Sequence, residues 1–97
     1  MALKKIIFFY GKECPHCKVM IPMADLLEKE GIIKFERFEV WHDEKNADRM
    51  RSFRKVAFEA CEGALGVPLF IDEERRSALC GEKPFDEFKK WIQSSKK

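Results

Sequence analysis

Long apolar runs are missing from this sequence of 97 residues. Near its start, Lys4 and Lys5 precede a run of only five apolar residues at 6–10. That run is too short for the core of a signal peptide and far too short to span a membrane. The sequence therefore predicts a cytoplasmic protein that does not contact membranes.

Charge of one sign is also scarce, since 19 basic residues nearly balance 17 acidic residues and leave a net charge of +2. So small an excess gives no electrostatic reason to expect binding to nucleic acid. Hydrophobic residues make up 45% of the chain and charged residues 37%, as in ordinary globular proteins. This length predicts one domain over residues 1–97, which we expect to be monomeric.

Cysteine is too sparse and too scattered for a disulfide scaffold. Of the four cysteines, only Cys14 and Cys17 are close in sequence. A single C-x-x-C motif beside a strand and a helix is typical of a redox-active or metal-binding site. Cys61 lies on the apolar stripe of a predicted helix and is expected to be a small buried side chain, and Cys80 is expected to be a spectator at a strand end. A disulfide between these two is conceivable, but their spacing does not support it.

Hydrophobic periodicity divides the chain into seven elements. Strands are predicted at 4–10, 32–41, 67–71 and 76–79, and helices at 14–30, at 47–62 and from Pro84 onward. Gly31 and Gly63 end the first two helices, and Pro84 lies in the first turn of the third. Pro22 lies inside the first helix and is expected to kink it.

The order β-α-β-α-β-β-α predicts an α/β fold. The first β-α-β unit forms a right-handed parallel crossover, and the last two strands form an antiparallel hairpin. Together these units predict a four-stranded mixed sheet with helices on both faces.

Cys14 and Cys17 lie at the start of the first predicted helix. Unpaired backbone N–H groups and the positive end of the helix dipole favour a thiolate at that position. Because the thiolate is the attacking form of cysteine, Cys14 is the predicted nucleophile. Cys17 lies one turn deeper on the same face, where it can resolve a mixed disulfide on Cys14. The spacing therefore predicts an exposed attacking thiol and a more buried resolving thiol.

The two residues between the cysteines are expected to tune the nucleophile. Pro15 fits the first helical turn, because a backbone N–H at that position would have no helical partner. His16 can carry a positive charge near neutral pH and so stabilise a thiolate on Cys14, whereas Glu13 opposes this. A stabilised thiolate makes the disulfide form more oxidising, so Pro15 and His16 favour a more oxidising couple than a neutral pair would.

These features resemble the thioredoxin superfamily and, in size, its glutaredoxins. The resemblance covers nearly the whole chain from Lys4. It rests on the run Cys14-Pro15-His16-Cys17-Lys18, on Pro22, on the run Gly66-Val67-Pro68 before a strand, and on Gly81 before the last helix. Two positions depart from the thioredoxin pattern, since Glu13 replaces the usual tryptophan and Phe8 replaces a buried acid.

The resemblance implies a thioredoxin-like fold in which Pro68 follows a cis peptide bond and lies beside Cys14. The backbone of Val67 would then pair with an extended substrate peptide, as in recognition by strand addition. With Phe8 in place of the acid, the base that assists the resolving cysteine is missing.

The combined expectation is a dithiol–disulfide oxidoreductase whose redox group is a Cys14–Cys17 disulfide, without a bound cofactor or metal. Its substrates would be disulfide-containing proteins or small thiols, with a reductase as electron donor or acceptor. Two alternatives use the same cysteines: a metal or iron–sulfur carrier, and a redox-sensing interaction module. A zinc site needs four ligands, for which the remaining candidates are His16, His42, Cys61 and Cys80.

Overall fold

The computed structural model describes residues 4–31, 33–63 and 65–95. Along the chain the elements are β1 (Lys5–Tyr10), α1 (Pro15–Lys29), β2 (Lys34–Glu39), α2 (Glu44–Arg51), α3 (Arg54–Ala60), β3 (Leu69–Asp72), β4 (Ser77–Cys80) and α4 (Phe85–Ser95). The strands form a sheet in the order β2-β1-β3-β4. β1 and β2 are parallel, whereas β3 is antiparallel to both β1 and β4. The predicted α/β class with a mixed four-stranded sheet is confirmed.

β1 lies in the interior of the sheet, and both of its faces are apolar. Ile6, Ile7, Phe8 and Phe9 are consecutive, and each is buried. Successive side chains on a strand point to opposite faces, so this run supplies core residues to both sides of the sheet. Ile6 and Phe8 share a cluster with residues of α1 and α4, whereas Ile7 and Phe9 share another with Ala57 of α3. Each core cluster thus combines strand and helix residues.

Phe8 is surrounded by other aromatic rings. Its ring stacks on Phe70 with the centroids 4.4 Å apart and meets the edge of Phe35 at 6.3 Å. Phe88 of α4 continues the cluster at 4.6 Å from Phe70. In these surroundings an unpaired carboxylate would be costly, which explains why an apolar ring suits the position better than an acid.

The helix predicted at 47–62 is two helices in the structure. α2 begins earlier than expected because the Asp43 carboxylate accepts a hydrogen bond from the backbone N–H of Asn46 at 3.1 Å. This N-cap satisfies one of the free donors at the helix start. The chain then turns at Ser52, whose hydroxyl donates to the carbonyl of Arg49, and α3 starts at Arg54. The apolar periodicity continues across the turn and therefore does not reveal it.

The other element boundaries agree with the predictions to within a few residues. β3 begins at Leu69 because Pro68 has no N–H to donate to a neighbouring strand. Pro22 lies inside α1 as expected, whereas Ile32, where the second strand is predicted to begin, lies outside the described residues. No helix in the described part of the chain is long and apolar enough to cross a membrane.

Replacing Phe8 with alanine tests the aromatic cluster. We expect Phe8→Ala to lower the free energy of unfolding by about 3–5 kcal/mol, because it leaves a cavity between fully buried rings. Urea denaturation measures this loss. Val19→Ala, on the exposed side of α1, is the control and should change stability by less than about 1 kcal/mol. A similar loss of unfolding free energy in both variants would contradict the prediction that packing around Phe8 stabilises the fold.

Candidate active site

Cys14 is the N-cap of α1. It ends a turn in which its backbone N–H donates to the carbonyl of Gly11 at 3.1 Å. Pro15 follows in the first turn of the helix, and the carbonyl of Cys14 accepts from the N–H of Lys18 at 3.1 Å. The Cys14 side chain therefore starts at the positive end of the helix dipole, the position that the motif predicts.

Both thiols are buried, which corrects the expectation of an exposed nucleophile. Cys14 is 4% exposed and Cys17 is 0% exposed. The Sγ atom of Cys14 lies 3.9 Å from the carbonyl oxygen of Val67, so the loop before β3 covers the sulfur. Cys17 is the deeper of the two, as its place one turn along the helix predicts. Any molecule that reacts with Cys14 must therefore approach it past the loop that contains Val67.

Cys17 lies in surroundings that keep its thiol protonated. Burial raises the pKa of Cys17 to about 12, and the neighbouring Cys14 acts in the same direction. The backbone N–H of Gly11 donates to the Sγ of Cys17 at 3.5 Å and opposes this shift. At neutral pH Cys17 is therefore a thiol rather than a thiolate.

The loop before β3 contacts Cys14 on one side and Gly81 on the other. The Val67–Pro68 peptide bond is cis, as the resemblance implies. The carbonyl of Val67 faces Cys14, and the carbonyl of Pro68 accepts from the N–H of Gly81 at 2.8 Å. Val67, one of the two residues expected to bind substrate, thus lies against the predicted nucleophile, while the pairing of this loop with a substrate backbone stays a prediction.

His16 is paired with a carboxylate that is distant in sequence. Its Nδ1 atom lies 2.9 Å from Oε1 of Glu82, and both side chains are exposed. At this distance the carboxylate offsets part of the positive charge that His16 would present to Cys14. No local motif marks the pair, because 66 positions separate its members.

Glu13, directly before the predicted nucleophile, forms a hydrogen bond with His42. Its Oε1 atom lies 2.7 Å from Nε2 of His42. This hydrogen bond lowers the pKa of Glu13 and raises the pKa of His42 above its ordinary value. A protonated His42 neutralises the charge by which Glu13 would otherwise disfavour a thiolate on Cys14.

Glu39, at the end of β2, connects the two turns beside the cysteines. Its carboxylate accepts from the backbone N–H of Lys12 at 2.8 Å, of His42 at 2.7 Å and of Trp41 at 3.2 Å. Burial disfavours the charged form, but these donors outweigh that effect and lower the pKa of Glu39. The carboxylate therefore joins the turn before Cys14 to the turn after β2.

Trp41 covers one side of the turn before the cysteines. A Cβ atom on Gly11 would come within 2.4 Å of the indole ring, so the ring lies directly against this glycine. The side chain is 51% exposed and forms part of the surface beside the site. Position 11 therefore needs a glycine, because any side chain would collide with the ring. No sequence pattern predicts this contact between Gly11 and Trp41.

Cys61 and Cys80 form a disulfide, with their Sγ atoms 2.06 Å apart. This bond corrects the expectation that Cys61 is an isolated buried side chain and Cys80 a spectator. The two residues are 19 positions apart, and they meet because α3 packs against β4 in the folded chain. Cys14 and Cys17 are free thiols in the same molecule.

Comparison with known proteins does not assign the chain to a family. No protein-family model matches the sequence, and no curated protein matches it. Within the described ranges, no three His, Cys, Asp or Glu side chains come together in a group that could hold a metal ion. The arrangement of Cys14, Cys17 and the loop at Val67 therefore marks this region as the candidate site.

The reactivity of Cys17 follows from its burial. In a Cys14→Ser variant we expect Cys17 to react with iodoacetamide at pH 8 at least about a hundredfold more slowly than free cysteine, because thiolate is scarce and access is blocked. Mass spectrometry of the alkylated chain measures the rate. The same variant in urea is the control, in which the rate should approach that of free cysteine. Fast alkylation of the folded variant would contradict the buried thiol.

The Glu13–His42 contact predicts a pH dependence. The imidazole of His42 should titrate above its ordinary value of 6.5, as measured by NMR, and Glu13→Gln should bring it back toward that value. Because the pKa of His42 is higher in the folded than in the unfolded chain, the contribution of this contact to stability is lost as the pH rises above about 6.5 and through the folded pKa of His42. Because the pKa of Glu13 is lowered in the folded chain, the contribution is also lost as the pH falls through the folded pKa of Glu13. Glu87→Gln removes an exposed carboxylate in α4 and should leave the titration unchanged. An equal shift in both variants would rule out a specific pair.

Proposed function

We propose that this chain is a thiol–disulfide oxidoreductase with a thioredoxin-like fold. One observation carries the proposal: the Sγ atom of Cys14, at the start of α1, lies 3.9 Å from the carbonyl of Val67. A nucleophilic sulfur at a helix start is electrostatically favoured, and a loop beside it offers a backbone to an extended substrate. Cys17 one turn away supplies the second thiol that an exchange reaction needs.

The fold supports this function by the positions of its elements. β1 leads into α1, so the start of α1 lies at the carboxyl end of β1, and β2 then runs parallel to β1. β3 runs antiparallel to β1, so β3 begins at the same end. The segment leading into β3 therefore passes close to the start of α1. This is the arrangement that the resemblance to the thioredoxin superfamily implies.

The proposed reaction proceeds in two displacements. The thiolate of Cys14 attacks one sulfur of the substrate disulfide, which forms a mixed disulfide and releases the other substrate sulfur as a thiolate. Cys17 then loses its proton and attacks the Sγ of Cys14, which forms the Cys14–Cys17 disulfide and releases the second substrate sulfur. Two electrons pass to the substrate, and its two thiolates take up protons. The oxidising direction runs through the same steps in reverse.

The high pKa of Cys17 determines which of the two cysteines reacts first. At neutral pH Cys17 stays protonated and does not compete with Cys14 for the incoming disulfide. Formation of the mixed disulfide removes the free thiol of Cys14, one of the groups that raise the pKa of Cys17. The resolving thiol therefore becomes more reactive after the first displacement than before it.

Serine variants test the reaction. We expect Cys14→Ser and Cys17→Ser each to lower the rate of insulin reduction by dithiothreitol at least about a hundredfold, because each removes one sulfur of the exchange. Only Cys17→Ser should trap a covalent adduct with a disulfide-containing peptide, detected by mass spectrometry. Far-UV circular dichroism of both variants controls for folding.

The outcomes separate the candidate functions. Full activity of Cys14→Ser would contradict the mechanism. Slow exchange with insulin, together with capture of one defined partner by Cys17→Ser, would favour the redox-sensing interaction module instead. Metal bound through Cys14 and Cys17 in anaerobically purified protein, without exchange activity, would favour the metal or cluster carrier.

A further inference from the structure

The last residue of β4 and the three residues after it, which we call the 80–83 segment, contact four different parts of the structure around the candidate active site. Cys80 is bonded to Cys61 at the end of α3, Gly81 donates to the carbonyl of Pro68 at 2.8 Å, Glu82 pairs with His16 at 2.9 Å, and the N–H of Lys83 lies 3.4 Å from Sδ of Met20 in α1. The segment therefore touches α3, the loop before β3, the C-x-x-C turn and the buried side of α1.

The two cysteine pairs meet at the same loop. The Sγ of Cys80 lies 3.9 Å from the carbonyl oxygen of Gly66, and the Sγ of Cys14 lies 3.9 Å from that of Val67. A disulfide sulfur has no proton to donate, so the contact at Gly66 is packing rather than a hydrogen bond. The loop is thus enclosed between the crosslink and the predicted nucleophile.

The 80–83 segment has little support from the sheet itself. Within the described residues, β4 lies at the edge of the sheet and pairs with β3 alone, so its last residue has one strand neighbour there. Gly81 has φ of 88° and turns the chain out of the sheet directly afterwards. Strand ends at a sheet edge open more easily than the interior of a sheet. The bond to Cys61 is the covalent contact that holds this end against α3.

We propose that the Cys61–Cys80 disulfide is a positioning crosslink for thiol exchange at Cys14. By anchoring the 80–83 segment, it holds the Val67–Pro68 loop over the nucleophile and Glu82 against His16. The inference rests on the proposed function, since it assigns the crosslink to the same reaction. It differs from a stabilising role because it predicts changes at Cys14 that a loss of stability elsewhere does not produce.

Removing the crosslink tests the inference. In Cys61→Ala/Cys80→Ala we expect iodoacetamide to alkylate Cys14 at pH 7 at least threefold faster, because the loop that covers the sulfur is released. The KM for a disulfide-containing peptide should rise at least fivefold with a smaller change in kcat, because Val67 is no longer held in place. Ile92→Ala, a core truncation in α4, is the matched control for stability and should change neither quantity at a temperature where it is folded.

Each outcome of this experiment decides the inference. Alkylation rates and KM values that match those of Ile92→Ala would overturn the positioning role, whatever the loss of thermal stability. If the parent protein shows no exchange at all, the proposed function fails, and the alkylation rate of Cys14 alone still decides whether the crosslink positions the loop.

A second variant keeps the disulfide and tests the contact of the segment with His16. Glu82→Gln removes a negative charge beside the C-x-x-C turn, which disfavours a thiolate there, so we expect Cys14 to be alkylated at least twofold faster at pH 7 with an unchanged KM. Glu87→Gln has the same change of charge in α4 and should leave the rate as it is. Equal rates for the two glutamine variants would show that Glu82 does not act on Cys14 and would overturn that part of the inference. If the double alanine variant does not fold, Cys61→Val/Cys80→Val breaks the same crosslink and keeps apolar side chains at both positions. A Cys14 alkylation rate equal to that of Ile92→Ala would then overturn the inference.

Discussion

The backbone of Gly11 joins the central strand to the candidate active site through both of its polar groups. Its carbonyl accepts from the N–H of Cys14, and its own N–H donates to the sulfur of Cys17. The ring of Trp41 fills the space where a Cβ atom would stand. One residue at the end of β1 thus orients both cysteines, and a side chain there would displace the ring that covers the turn.

This orientation depends in turn on the burial of β1. A strand with four consecutive buried apolar residues has no face that tolerates water, so it must lie inside the sheet with cover on both sides. α1 follows immediately and packs through Met20, Ala24 and Leu27 into the cluster that contains Phe8. The hydrophobic core therefore determines where α1 starts, and with it the position of Cys14.

The charges around the cysteines are arranged in pairs that bridge separate elements. Glu13 meets His42 from the turn after β2, and His16 meets Glu82 from the chain after β4. These pairs are exposed and each contributes little to stability. Their effect is local: the partner of each charged group limits the field that Cys14 experiences. The charge around Cys14 therefore depends on three loops together rather than on the C-x-x-C run alone.

Local patterns in the sequence determined the α/β class, the mixed four-stranded sheet and the place of Cys14 and Cys17 at a helix start. These properties depend on hydrophobic periodicity, on glycine and proline, and on spacing within a few residues, all of which act over short distances along the chain. The break at Ser52 was not predicted because apolar periodicity passes through it.

Only the tertiary structure decided the burial of Cys14, the partners of His16 and Glu13, and the disulfide between Cys61 and Cys80. Each of these contacts joins residues that the sheet brings together from distant parts of the chain. Val67 covers Cys14 from 53 positions away, and Glu82 meets His16 from 66 positions away. A sequence pattern reports which side chains are available at a site, whereas the packing of strands and helices determines which of them meet.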